Sequence, residues 1–335
     1  MPRWNVSPEA EKLLADAVVC DMVLPWGPRW IPVRGNTLER FAQSGISYVS
    51  LTVGQDSIPS LEATIQHMAA ERRRIAAAPD KYLFVETVDD ILRAKREGLL
   101  ALGFHHQGTN ALVSDLNMVS LYYKLGVRAL LLCYNQKNSV GDGCHEPTNA
   151  GLSTFGRALI REMNRIGMLV DCSHTGYRTT MDALEASDSP VLISHSNSRV
   201  LRDHERNIWD DQIKACAQTG GLIGLNGMGI YIADNDASNE AMFRQLDYIC
   251  DKAGWQHVGL GLDYVYYAEG FYGLMRAKPE MYPPADYPIP QEFYAPEQLP
   301  GLVEMMLAHG YTGEQVRGIL GENYLRVARA VWKPA

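Results

Sequence analysis

The sequence predicts an α/β protein built as one closed (β/α)8 barrel of the TIM type. Three observations carry that reading. Eight short apolar, β-rich runs alternate with amphipathic segments along the 335 residues. The amphipathic segments stop at glycines, as helices do. Most of the β-rich runs end in a polar or titratable residue, the pattern expected where parallel strands converge on one working face.

In order, the strand-like runs are AVVCDMV (17–23), ISYVSLTV (46–53), LLALGFHH (99–106) and VRALLLCY (127–134). GMLVDCSH (167–174), PVLISHS (190–196), GLIGLNGM (221–228) and HVGLGLDY (257–264) complete the eight. Between them lie TLERFAQSG, TVDDILRAKREG, STFGRALIREMNRIG, TTMDALEAS and WDDQIKACAQTG, each with helical spacing of apolar residues. Gly98, Gly126, Gly167 and Gly220 mark helix ends. One barrel over residues 1–335 accounts for eight strands better than two open sheets do. After the eighth strand, residues 264–300 form a long Pro/Tyr-rich loop, and its AKPEMYPPADYPIPQEFYAPEQLP portion is too broken by proline for a helix. In a barrel that loop lies over the working face.

Composition narrows the function. Hydrophobic residues are 46% and charged residues 21%, a soluble globular balance, and the net charge is -8. An acidic chain argues against nucleic acid and anionic membrane as partners. The basic run at 72–74 reads as a solvated helix face. No stretch approaches the ~20 apolar residues of a membrane span. The opening MPRWNVSPEAEKLL lacks an apolar core of signal-peptide length. Six scattered cysteines without a CxxC pair read as reduced. Together these features predict a cytoplasmic enzyme.

The strand ends supply the candidate chemistry: Asp21, then His105, His106 and Gln107, then Tyr134, His174, His195 and Asp263. A lone strand-end histidine is usually a hydrogen-bonded structural residue. His174 and His195 on adjacent strands, with Asp263 two strands on, instead suit a zinc ion with an open position, and hence hydrolysis. In GFHHQ, adjacent strand residues point to opposite faces, so at most one of His105 and His106 faces the mouth.

GLSTFGRALIREMNRIGMLVDCSHTG, PVLISHSNSR, DHERNIWDD, HVGLGLDY and ILGENYLRVARAVW resemble the renal (membrane) dipeptidase family, peptidase family M19 of the amidohydrolase superfamily. The resemblance runs from about residue 13 to 333. It implies a metallo-dependent hydrolase barrel, two zinc ions bridged by a carboxylate and a water, dipeptide substrates and a homodimer or higher homo-oligomer. Carried across, it makes His174 and His195 ligands of one metal. It makes Asp263 the catalytic aspartate, contacting the nucleophilic water and the substrate amine. It makes Arg206, in HERN, the group that holds the substrate carboxylate, a task suited to a guanidinium fork.

Three departures qualify that implication. The family's first strand ends in an HxD pair of metal ligands, where this chain has Asp21-Met22-Val23. The bridging glutamate aligns with the neutral Gln107. The histidine that binds the developing oxyanion aligns with Tyr134, whose hydroxyl can donate. Without those carboxylates, two zinc ions at a spacing of ~3.5 Å would repel almost uncompensated. The expectation is therefore at most one tightly bound zinc on His174 and His195. Its remaining ligands are left open among Asp263, Gln107, Asp21 and His106. Asp21 is either a first-strand ligand or a carboxylate hydrogen-bonded across an emptied half-site. The substrate is a small amide or dipeptide-like molecule bearing a carboxylate. The competing readings are a metal-free or metal-optional lyase or isomerase on the same barrel, and a non-catalytic binding homologue. The tyrosines of 264–294 also suggest an aromatic wall suited to a methylated cation.

Overall fold

A computed structural model describes residues 6–27, 33–57 and 60–334. Nine parallel strands appear: β1 Cys20–Pro25, β2 Tyr48–Gln55, β3 Tyr82–Phe84, β4 Leu100–Gln107, β5 Val127–Leu131, β6 Leu169–Asp171, β7 Leu192–Ile193, β8 Leu222–Leu225 and β9 Val258–Leu260. Eight of them close a barrel in the order β2-β1-β9-β8-β7-β6-β5-β4, and β2 pairs back onto β4 from Tyr48↔Ala101 to Gln55↔Gln107. This is the (β/α)8 barrel that the alternating runs predict. The extra strand, β3, lies outside the ring and pairs only with the start of β4. Three residues are too few to show a period of two, which is why the sequence does not announce it.

Register explains the floor of the barrel. Cys20 pairs with Tyr48 and Tyr48 with Ala101, while Leu169 sits beside Ala129 and Leu192 beside Leu222. These residues form one buried cluster with Met22 and with Tyr324, Leu325 and Val331 of the last helix, Asn323–Val331. Tyr48 and Tyr324 stack at 5.3 Å with their hydroxyls 3.1 Å apart, sealing the bottom. A larger apolar cluster fills the layer between strands and helices.

Two strand-like runs are shorter in the sheet than in the sequence. β6 and β7 keep only three and two paired residues. Beyond them, the amides of Ser173 and Ser194 both donate to Asp171 Oδ1, at 3.0 and 3.1 Å, and His195 N donates to Ser173 Oγ at 2.9 Å. Side chains take the backbone donors that a ladder would have used. The 72–74 run also differs from a plain solvated face. Arg74 pairs at 2.7 Å with Glu71, which is buried, and Arg72 lies 4.3 Å over the Phe84 ring, leaving Arg73 as the exposed member.

The loop after β9 carries a helix, Ala268–Ala277, that its tyrosines and prolines do not suggest. Phe271, Met275, Tyr282 and Tyr287 of this segment bury themselves with Leu131, Tyr134, Met228 and Tyr231, a third apolar cluster roofing the barrel mouth. All six cysteines are free. No helix among the described residues is long and apolar enough to cross a membrane.

Candidate active site

The strand ends that face the roof meet as the barrel topology requires. Three of the residues there hold left-handed backbone: Asn135 (φ 57°), His174 (φ 63°) and Asp263 (φ 52°). Asn, His and Asp tolerate that region better than bulkier residues, and such strain gathers at working sites because it aims a side chain off the strand.

His174 and His195 are brought together, with their Nε2 atoms 2.8 Å apart. Their other ring nitrogens decide the chemistry. His174 Nδ1 meets Asn135 Oδ1 at 2.6 Å, and the Asn135 amide is oriented by Nδ2 donating to Met281 O at 3.0 Å. His174 Nδ1 must therefore carry the hydrogen. His195 Nδ1 meets Ser194 Oγ at 2.7 Å, while the Ser194 hydroxyl donates to Asp171 Oδ2. His195 Nδ1 must then donate as well. Both Nε2 atoms are left as lone pairs pointing at one another, so no hydrogen bond between the neutral rings can join them. Burial, followed by the nearby Arg206 charge, holds both imidazoles well below the usual histidine range, so they are neutral.

Asp263, at the end of β9, accepts from Asn226 Nδ2 at 3.2 Å. Burial pushes its carboxyl up to about 6, against the pull of Arg206 and Asn226. Arg206 is buried, donates from Nη2 to His195 O at 3.2 Å and lies 5.3 Å over the Tyr231 ring, while its Nε has no partner. Tyr134 stacks on His174 at 4.0 Å and shares a 2.9 Å hydrogen bond with Tyr282. Gln107 lines the same mouth with Nε2 unpartnered.

The remaining candidates lie elsewhere. His106 faces outward and packs edge-on against Tyr122 of the helix Asn117–Lys124, at 4.5 Å. It is not brought to the other ligand candidates, because the pleat that turns Gln107 inward turns His106 out. His105 faces inward but is engaged on both nitrogens, by Ser50 and Thr52, each at 2.9 Å. Asp21 is fully buried at the seam of β1 and β9, where Oδ1 accepts from Val23 N at 3.1 Å and Leu262 N at 2.9 Å. Burial raises its carboxyl to about 8, with those amides pulling down and Asp263 adding to the rise. Its Oδ2 has no partner among the described residues.

Two cavities open on this set. The mouth under the roof is small, about 40 Å³, and holds Gln107, Tyr134, His174 and Asp263. A wider cleft of about 620 Å³ lies beside it, lined by Arg206, Ser196, Cys144 and His145, and it too touches His174. Asn135, Asp171, Ser194 and Asn226 are the functional neighbours that sequence reasoning missed. Asn226 directly follows β8 and Asn135 follows Tyr134, so the strand-end rule itself points to them.

The membrane dipeptidase (peptidase family M19) profile matches residues 36–278. The chain belongs to that family. An uncharacterised dipeptidase of Schizosaccharomyces pombe is 32% identical over 278 residues, 81% of this chain and 62% of that protein, so the chain spans under two thirds of that relative's length. An amidohydrolase from Pseudomonas aeruginosa is 26% identical with a TM-score of 0.84, covering 96% of this chain and 99% of that one. The probable dipeptidase PvdM from the same organism, at 17% identity and TM-score 0.80 over 98% of both chains, shares the fold.

Membership of a metallopeptidase family implies a metal, and the residues present offer it one pair of histidine nitrogens. Two imidazoles locked as Nδ1–H tautomers with converging lone pairs form a suitable donor pair. The second half-site does not fit. Val23 is apolar, Asp21 is bonded to backbone, and Gln107 brings no charge to bridge two dications. Among the described residues no three His, Cys, Asp or Glu side chains are arranged to hold a metal ion.

Proposed function

We propose that this family member is a dipeptidase-like metallohydrolase acting on a small amide or dipeptide-like substrate with a free carboxylate, and that it holds a single zinc ion. The observation that carries this reading is the pair of facing Nε2 lone pairs on His174 and His195, which calls for a cation between or beside them. Bound there, zinc would supply Lewis acidity, lowering the pKa of a water to about 7.

The protein's own groups do the rest. Arg206 receives the substrate carboxylate through its unpartnered Nε edge. Asp263, mostly ionised at neutral pH, takes a proton from the attacking water as the C–O bond forms. The same proton passes to the leaving amine nitrogen as the C–N bond breaks. Tyr134, whose phenol stays protonated because burial raises it, donates to the developing oxyanion. A substrate seated across His174 reaches from the tight mouth into the wider cleft, which has the volume the mouth lacks.

A second reading, a metal-free lyase or isomerase, draws on one feature: Asp263 is a tuned acid–base group beside a carboxylate-binding arginine without needing a metal. Metal analysis of protein purified without added zinc, with turnover of dipeptides and of their C-terminal amides, separates the two. The hydrolase reading expects about one zinc per chain and turnover that chelators abolish. It also expects a preference for the free carboxylate that Arg206→Lys erodes. Chelator-insensitive turnover would establish the second reading instead.

A further inference from the structure

Ser194 stands between a buried carboxylate and a metal-binding imidazole, and its hydroxyl has one hydrogen to give. Asp171 accepts three hydrogen bonds, from Ser173 N, Ser194 N and the Ser194 hydroxyl, which pull its carboxyl down against the burial that raises it. Ser173 Oγ lies 3.3 Å from Ser194 Oγ and accepts His195 N. With the Ser194 hydrogen spent on Asp171, the Ser173 hydroxyl is the donor of that pair. Ser194 Oγ is thus an acceptor towards His195.

We infer that Ser194 and Asp171 are positioning residues that hold His195 in the Nδ1–H tautomer, as Asn135 holds His174, so that both Nε2 lone pairs converge before any ion arrives. The inference rests on His174 and His195 being the metal-holding pair. It places a second carboxyl, besides Asp263, one hydroxyl behind His195, where Gln107 brings no charge of its own. A carboxylate behind a ligating histidine raises its basicity and fixes its ring.

Replacing Asp171 by the isosteric amide makes a distinctive forecast. In Asp171→Asn, Oδ1 still takes the two backbone amides, but Nδ2 now donates to Ser194 Oγ. The Ser194 hydroxyl must then turn and donate to His195 Nδ1. His195 becomes the Nε2–H tautomer, which donates to His174 Nε2, and one lone pair is lost to a cation.

The test is two-bond ¹H–¹⁵N correlation NMR on the full-length chain, labelled in histidine and stripped by chelator, followed by titration with zinc alone. The native chain is expected to show Nδ1–H on both His174 and His195. Asp171→Asn is expected to switch His195 to Nε2–H, with the tautomers of the other histidines unchanged, and to weaken zinc binding about 10- to 100-fold. Ser194→Ala is expected to leave His195 without a fixed tautomer, and Ser194→Thr to restore it. An Nε2–H tautomer on His195 in the native chain would overturn the inference. An unchanged tautomer in a folded Asp171→Asn variant would overturn it equally. Since tautomers are read without metal or substrate, failure here is distinct from failure to find hydrolysis.

Discussion

The two sides of the barrel mouth are built differently. On the side of β5, β6 and β7, two hydrogen-bonded sets, Asn135 with His174 and Asp171 with Ser194 and His195, meet at the facing Nε2 atoms of the two histidines. On the side of β1 and β4, the polar atoms are stranded. Asp21 Oδ2 and Gln107 Nε2 have no partner among the described residues, and Val23 is apolar. On the proposed reading the cation belongs to the β5–β7 side, because the β1 and β4 side offers it little charge: burial raises the Asp21 carboxyl and Gln107 is neutral.

The sharpest way to break that contrast is on the β5–β7 side. His174→Ala or His195→Ala is expected to weaken zinc binding by more than about 100-fold, measured by competition with a chromophoric chelator. Retention of tight zinc in either variant would mean that the stranded side holds the ion.

Rebuilding the stranded side sharpens it from the opposite direction. Combining Asp21→His, Val23→Asp and Gln107→Glu restores anionic ligands, and metal analysis is expected to rise from about one to about two zinc ions per chain. In metal-free form the same variant is expected to melt lower, because it buries carboxylates without partners.

A smaller effect follows from Asp21 alone. Its carboxyl is raised from an ordinary value near 3.8 to about 8, so the folded chain binds that proton more tightly than the unfolded chain does. The stabilisation is present in full below about pH 4 and is lost progressively as pH rises towards 8. Asp21→Asn is expected to flatten that part of the melting-temperature profile. An identical slope in both proteins would show Asp21 to be ionised in the folded state.

The least consequential change is expected at His106. His106→Phe fills the same space against Tyr122 and removes two unpartnered nitrogens, so it should shift stability by less than about 1.5 kcal/mol. Zinc affinity should not move. A loss of zinc in this variant would place His106 back among the ligands.

Much of the architecture was legible from residue order. Each of the eight barrel strands falls on one of the apolar runs, with β1, β2 and β4 extending one or two residues beyond, and the rule that strand ends carry function points to His174, His195, Asp263, Tyr134 and Gln107 together. Less legible were the stretches where side chains replace the ladder. VDCSH and LISHS look like strand to their ends, yet Asp171 and Ser173 take the amides after two or three residues. The roof was half legible: its tyrosines were visible, but the helix Ala268–Ala277 and the closure of the mouth were not.

By itself the sequence determined the barrel and the strands whose ends meet, since these follow from periodicity and residue type, while the missing carboxylates at 23 and 107 were read from the family resemblance. Only the tertiary structure decided which neighbour faces inward and where each proton sits. His105, His106 and Gln107 differ by one step of the pleat, and their direction depends on register with β2 and β5. Asp21 Oδ1 accepts from Leu262, 241 residues away, and Asp171 on the neighbouring strand reaches His195 through the Ser194 hydroxyl. Hydrogen-bond partners so distant in sequence leave no local pattern, so the difference between a ligand and a stranded polar group becomes visible only once the ring is closed.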